Sequence, residues 1–140
     1  MRTPAAVFLF VALSSMVPVA AAQPAAMSSS MIQEVMRQQS LPNVAGTDVA
    51  VITVDYAPGA STPPHEHPGA TYAYVLKGSV VSQLDDQPPR TYSEGQMWSE
   101  TPHQHHLVSR NASTTEPAKL LVFFVVPHGE KLTTMLAPKP

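Results

Sequence analysis

The 140-residue chain contains no cysteine. This absence excludes a disulfide framework and a lipoprotein attachment site, so the hydrophobic core alone must hold the folded domain together. Charged residues are also sparse, at 13% of the chain, and the formal net charge at pH 7 is only −2. A mildly acidic chain without a basic cluster is poorly suited to nucleic acid, and we expect no nucleic-acid partner.

The longest apolar run lies near the N-terminus. Ala5–Leu13 is almost wholly apolar, follows the positive charge of Arg2, and is followed by the small residues Ala20–Ala22. This pattern predicts a secretory signal peptide over residues 1–22. The run is too short for a transmembrane helix, and Pro18 follows it closely. We therefore expect an exported protein, periplasmic or secreted, with no membrane association after cleavage.

Residues 23–47 are interpreted as a leader followed by one short N-terminal helix. Ser30 and Gln33 have the spacing of a helix-capping pair, and Leu41–Pro42 would end the helix. The predicted helix carries an apolar stripe of Met31, Ile32, Val35 and Met36.

The rest of the chain, residues 48–140, has the pattern of a single β-rich domain. Apolar and aromatic segments of four to ten residues alternate with turns that use several of the chain's 15 prolines. The pattern predicts an all-β sandwich or barrel. Strand spacing alone does not distinguish an immunoglobulin-like sandwich from a jelly-roll barrel.

Histidine is concentrated in two short segments. His65 and His67 flank Glu66, and the second segment holds His103, His105 and His106. In an extended strand, residues i and i+2 point to the same side, so the first pair can direct both imidazoles at one point. Neutral imidazole is a common ligand of Zn, Cu, Fe and Ni, and the pattern therefore suggests a metal site.

Together the two segments resemble the two motifs of the cupin superfamily, and the chain is similar to small single-domain cupins of type 2. The first motif is glycine, five residues, His-x-His, three or four residues, glutamate, six residues and glycine. Its spacing is matched by Gly59, His65, His67 and Gly78. The resemblance implies a double-stranded β-helix, the cupin jelly-roll barrel, with the histidines in its mouth.

The second motif is matched less completely. Gly95 is in place, His103 stands where the family has glycine, and His106 best fits the ligand position because Val108 shares its face. His105 is the alternative third ligand, since a shift of one residue reverses the face of a strand. The asparagine that ends the motif lies one residue late, at Asn111.

The glutamate of the first motif is missing. Its position falls at Thr71 or Tyr72, so the resemblance implies a metal shell of His65, His67 and His106 without that carboxylate. It also implies a divalent transition metal, iron in the first place, with manganese, nickel or zinc as alternatives. His103, His105 and Thr71 are candidates to contact the metal ligands without binding the ion themselves.

Two further residues are candidates to line the cavity. Trp98 and Glu100 lie two residues apart and share a face of one predicted strand. We expect Trp98 to belong to the core and Glu100 to be a solvated strand end.

Three function classes follow from the resemblance. The first is a metal-dependent enzyme of the oxygenase type that acts on a small organic molecule, with Fe(II) dioxygenase-like chemistry. The second is a cupin that binds a sugar or aromatic ligand without turnover. The third is a metal-dependent isomerase or lyase, which the lack of an evident general base disfavours. A homodimer is a further expectation from the family.

Overall fold

A computed structural model describes residues 30–137 of the protein. The predicted signal peptide, the predicted leader and the last three residues lie outside this range. The described chain is all-β and consists of eleven strands: β1 (Met31–Ser40), β2 (Thr47–Tyr56), β3 (Ser61–Thr62), β4 (His65–Glu66), β5 (Ala70–Lys77), β6 (Ser79–Leu84), β7 (Arg90–Ser93), β8 (Met97–Glu100), β9 (His106–Asn111), β10 (Ala118–Pro127) and β11 (Thr134–Met135).

The strands form two antiparallel sheets that pack face to face. One sheet has the order β1-β2-β10-β5-β8, and the other has the order β11-β4-β9-β6-β7, with β3 also paired to β9. Side chains on β2 and β10 alternate between the interior and the outside, as half-buried strands do. The inward residues of β2 and β10 form much of the core: Ala50, Ile52, Val54, Leu120, Val122 and Phe124. Val75, Val80 and Trp98 from other strands pack with them. The predicted jelly-roll barrel is confirmed.

The predicted N-terminal helix is wrong. Residues 31–40 form strand β1, which pairs antiparallel with β2 along its length and contains one irregularity between Val35 and Arg37. A helix of about ten residues is only marginally stable by itself. Pairing with β2 instead satisfies the backbone groups along an otherwise open sheet edge. The barrel therefore begins before residue 48, and no helix occurs within residues 30–137.

Strands β5 and β8 carry the alternation that positions the site. Thr71 pairs with Glu100, and Ala73 pairs with Trp98, across the two strands. All four side chains are buried on the inner face of the sheet. Tyr72 and Tyr74 consequently point outward, where they join an exposed apolar surface.

Gly69, directly before β5, lets two strands approach closely. A β-carbon at this position would lie 2.1 Å from the carbonyl oxygen of Val125 on β10. Any side chain here would push β5 away from its neighbour, and Gly69 lies two residues from His67. The close approach therefore fixes the backbone beside the histidine pair.

Candidate metal centre

Three of the six histidines meet inside the barrel. His65 on β4 pairs directly with His106 on β9, and His67 follows β4 by one residue. The ring centroid of His65 lies 4.9 Å from that of His67 and 4.9 Å from that of His106. One nitrogen from each of the three rings lies within 4.8 Å of the others, and all three side chains are buried.

Each ring is held by a hydrogen bond on the nitrogen that points away from the cluster. Nδ1 of His65 lies 2.8 Å from the Pro63 carbonyl oxygen, and Nδ1 of His67 lies 2.6 Å from that of Leu132. A carbonyl only accepts, so both Nδ1 atoms carry the proton and both Nε2 atoms present a lone pair. This arrangement of outer hydrogen bonds fixes the tautomer and the orientation of metal-binding histidines.

In His106 the two ring nitrogens exchange roles, and Nε2 makes the outer hydrogen bond. Its Nε2 lies 2.9 Å from Ser82 Oγ on the neighbouring strand β6. We assign the proton to Nε2, which leaves Nδ1 with the lone pair that faces the other two rings. The three histidines thus present three free nitrogens to one point.

A carboxylate completes the cluster. Glu100 is 4% exposed, and its Oε2 lies 3.6 Å from His67 Nε2 while its Oε1 lies 3.2 Å from His106 Nδ1. Trp98 Nε1 donates a hydrogen bond of 2.9 Å to Oε1. The expectation of a solvated strand end is therefore wrong for Glu100, while Trp98 lies in the core as predicted. The pairing of β8 with β5 turns the end of β8 into the barrel.

The protonation states suit a cation. Burial lowers the pKa of His65 to about 4 and also lowers the pKa of His67, so both rings are neutral at pH 7. Burial alone would raise the pKa of Glu100. Its contacts with His106 and His67 and the hydrogen bond from Trp98 outweigh burial, and the pKa is lowered overall. Glu100 is therefore a carboxylate, and its negative charge lies beside the neutral rings of His65 and His67.

Two buried polar atoms in this cluster test whether it fits a metal ion. Glu100 Oε2 and His106 Nδ1 have no hydrogen-bond partner among the described residues. A buried acceptor left unpaired costs about 1–3 kcal/mol, and more if it is charged. Both atoms face the free nitrogens of the other histidines, where a divalent ion would satisfy them together. The donor set of imidazole nitrogen and carboxylate oxygen is one that iron, zinc, manganese and nickel accept.

The space around the cluster is small and mostly apolar. Its volume is about 30 Å³, which is enough for roughly two water molecules at about 10–15 Å³ each. Apolar side chains of β2 and β10 form much of its wall, including Ile52, Val122 and Phe124. Gln33 on β1 also lines the space and is exposed, so the cavity opens on that side.

The remaining candidate residues lie outside the cluster. His103 and His105 are exposed and lie beside Glu66, at 3.2 Å and 3.8 Å from its carboxylate oxygens. His103 has a φ of 60°, the left-handed conformation for which the family has glycine at this position, and its amide bonds the His67 carbonyl. Thr71 is buried, and its hydroxyl donates to the Gly69 carbonyl at 3.4 Å.

Sequence reasoning missed two supports of the site. Ser82 is a buried serine between Val81 and Gln83 on β6, and only the pairing of β6 with β9 brings it to His106. The second support is the C-terminal segment, in which Leu132 accepts the His67 hydrogen bond and Met135 on β11 pairs with His65. Neither residue type carries a signal of its own, because both act through long-range pairing.

Comparison with known proteins places this architecture in a family. The family model of the cupin domain matches residues 52–124, more than half of the chain. Germin-like protein 3-1 from Oryza sativa subsp. japonica is 41% identical over 56 residues, which are 39% of this chain. This match covers 25% of the rice protein, so the chain matches only a quarter of that relative's length.

Two solved structures share the fold. DMSP lyase DddQ from Ruegeria pomeroyi DSS-3 has a TM-score of 0.65 at 18% identity, with 85% of this chain and 58% of that chain covered. A cupin-like protein from Thermotoga maritima has a TM-score of 0.63 at 21% identity, with 78% of this chain and 77% of that chain covered. At these identities the likeness extends to the fold alone. The chain is therefore a member of the cupin family, and its barrel encloses a three-histidine cluster that can hold a divalent metal ion.

Proposed function

We propose that this protein is a metal-dependent enzyme of the oxygenase type that acts on a small organic molecule. The observation that carries the proposal is the convergence of three histidine nitrogens whose opposite nitrogens are all fixed by hydrogen bonds. Such pre-orientation is typical of residues that bind metal. Mixed nitrogen and carboxylate donors with open positions are those of non-haem iron oxygenases, which favours Fe(II) over manganese, nickel and zinc.

His65, His67 and His106 would hold the ion. A bound divalent ion would polarise a substrate oxygen and, as iron, could activate dioxygen. The chain itself contributes the dry wall of Ile52, Val122 and Phe124, which excludes bulk water from the reaction. It also contributes Trp98, whose indole N–H holds the Glu100 carboxylate in place.

The cavity constrains the substrate class. A volume of about 30 Å³ leaves no room for a whole sugar or aromatic ring in this conformation. We infer a substrate that inserts one or two oxygen atoms, as an enol or a β-diketone would, while the rest of the molecule lies at the mouth beside Gln33. This geometry disfavours the second function class, a cupin that encloses a sugar or aromatic ligand.

One observation favours the isomerase or lyase class as the second candidate. The free oxygen of Glu100, Oε2, has no partner among residues 30–137 and could accept a proton from a substrate carbon or hydroxyl. The sequence alone had shown no general base for such chemistry. In this reading the metal acts as a Lewis acid without redox change.

Oxygen uptake separates the two candidates. Protein loaded with Fe(II) is mixed with acetylacetone or catechol, and dioxygen consumption is followed with an electrode. We expect consumption by the wild type and a fall of roughly 100-fold or more in His65→Ala, because a ligand is lost. His128→Ala is the matched control, since His128 lies on the surface against Asp48, and it should retain the wild-type rate.

Two results would contradict the oxygenase proposal. One is equal consumption by the wild type and His65→Ala, which would assign the reaction to free iron. The other is conversion of either compound at an undiminished rate under argon, which would support the isomerase or lyase. We further propose that the protein acts after export, in the periplasm or outside the cell.

A further inference from the structure

We propose that Glu100 supplies a fourth ligand atom, Oε2, to the metal ion, from the sheet opposite the one that carries His65 and His106. This inference rests on the proposed metal centre and specifies its donor set. It gives a role to the buried carboxylate that the three-histidine cluster leaves out.

The contacts of Glu100 divide its two oxygens between different tasks. Oε1 accepts the hydrogen bond from Trp98 Nε1, which fixes the rotation of the carboxylate, and it also lies 3.2 Å from His106 Nδ1. Oε2 then points to the cluster, 3.6 Å from His67 Nε2, and has no hydrogen-bond partner among the described residues. Two acceptors that face each other at this distance repel unless a cation lies between them. The carboxylate is held as a ligand would be held.

The pairing of β5 with β8 explains why Glu100 can reach the ion. Thr71 and Glu100 are direct cross-strand partners, so both side chains start from adjacent points on the inner face. Thr71 is short, and its hydroxyl is turned toward the Gly69 carbonyl rather than the cluster. The inner face therefore has room for one carboxylate beside the histidines. Glu100 on β8 provides it, rather than Thr71 on β5.

A carboxylate ligand from Glu100 would change which metal ions the site prefers. Three neutral imidazoles alone suit zinc, copper and nickel, whereas a carboxylate oxygen increases the preference for harder ions such as manganese. A ligand role for Glu100 therefore predicts that its loss weakens Mn(II) binding more than Ni(II) binding. If Glu100 has a purely structural role, its loss should weaken Mn(II) binding and Ni(II) binding equally.

The test measures binding of Mn(II) and Ni(II) separately, by titration of the metal-free full chain without substrate or dioxygen. The variant Glu100→Gln keeps the size of the side chain and removes its charge. We expect its Mn(II) affinity to fall by about 100-fold or more and its Ni(II) affinity to fall about ten times less. Glu94→Gln, an exposed residue in the preceding turn, is the matched control and should bind both ions as the wild type does.

A second variant keeps the proposal testable if Glu100→Gln is unstable. Thr71→Glu combined with Glu100→Thr moves the carboxylate to the cross-strand partner, and we expect it to recover most of the Mn(II) affinity. Mn(II) binding unchanged in Glu100→Gln, or Mn(II) and Ni(II) affinities that fall equally, would overturn the ligand role. Metal binding that survives in His65→Ala would instead overturn the proposed centre itself, so the two failures are distinguishable.

Discussion

At the scale of single residues, spacing in the sequence identified the histidines but not the carboxylate. His65 and His67 share a face whatever the partner strand, so local geometry was enough to group them. The same spacing grouped Glu100 with Trp98 as a candidate to line the cavity, but it could not show that Glu100 reaches the histidines, because that depends on the register between β8 and β5. The choice of His106 over His105 depended on the face of β9, and in the structure His106 is buried while His105 is exposed.

Ser82 provides a test of how the histidines are oriented. Its hydroxyl lies 2.9 Å from Nε2 of His106 and holds the ring in the orientation in which Nδ1 faces the cluster. We expect Ser82→Ala to weaken metal binding by about 10–100-fold with little change in secondary structure. Ser79→Ala, on the same strand but away from the histidines, is the matched control.

Metal titration of both serine variants, with circular dichroism as the check on folding, would make this comparison. If Ser82→Ala and Ser79→Ala bind metal equally tightly, the hydroxyl of Ser82 does not orient His106.

At the scale of elements, alternation predicted the strands of the barrel but failed for residues 31–40. Capping residues and an apolar stripe favoured a helix there, while pairing with β2 was not visible locally. The same limit applies to β11, whose two residues form a strand only because they pair with β4. Local pattern is decisive where a segment buries one face, and it is weak where an edge pairing decides the conformation.

The close approach of two strands at Gly69 leads to a prediction about stability. A β-carbon there would collide with the backbone of β10, so Gly69→Ala should lower the free energy of unfolding by about 1–3 kcal/mol or more. Gly46→Asn is the comparison, because Gly46 has a positive φ that asparagine tolerates and no neighbouring atom within 4 Å. We expect that variant to remain within about 1 kcal/mol of the wild type.

Chemical denaturation of the two glycine variants measures the difference. Equal losses of stability would show that strand proximity at Gly69 imposes no special constraint.

At the scale of the whole molecule, the candidate centre lies between the two sheets. His65 and His106 belong to one sheet and Glu100 to the other, while His67 is fixed by the C-terminal segment through Leu132. The cupin motifs in the sequence therefore predicted the barrel and its histidines. The carboxylate and the supports behind the ligands depend on how the sheets pack, which the sequence pattern does not specify.

The most direct test of this account is the metal content of the full chain purified without an affinity tag. Elemental analysis is applied to the wild type and to a variant with His65, His67 and His106 all replaced by alanine, each after saturation with Fe(II) under argon and removal of free metal. We expect about one ion per wild-type chain and almost none in the triple variant. A wild type that retains no ion, or a triple variant that retains as much as the wild type, would contradict it.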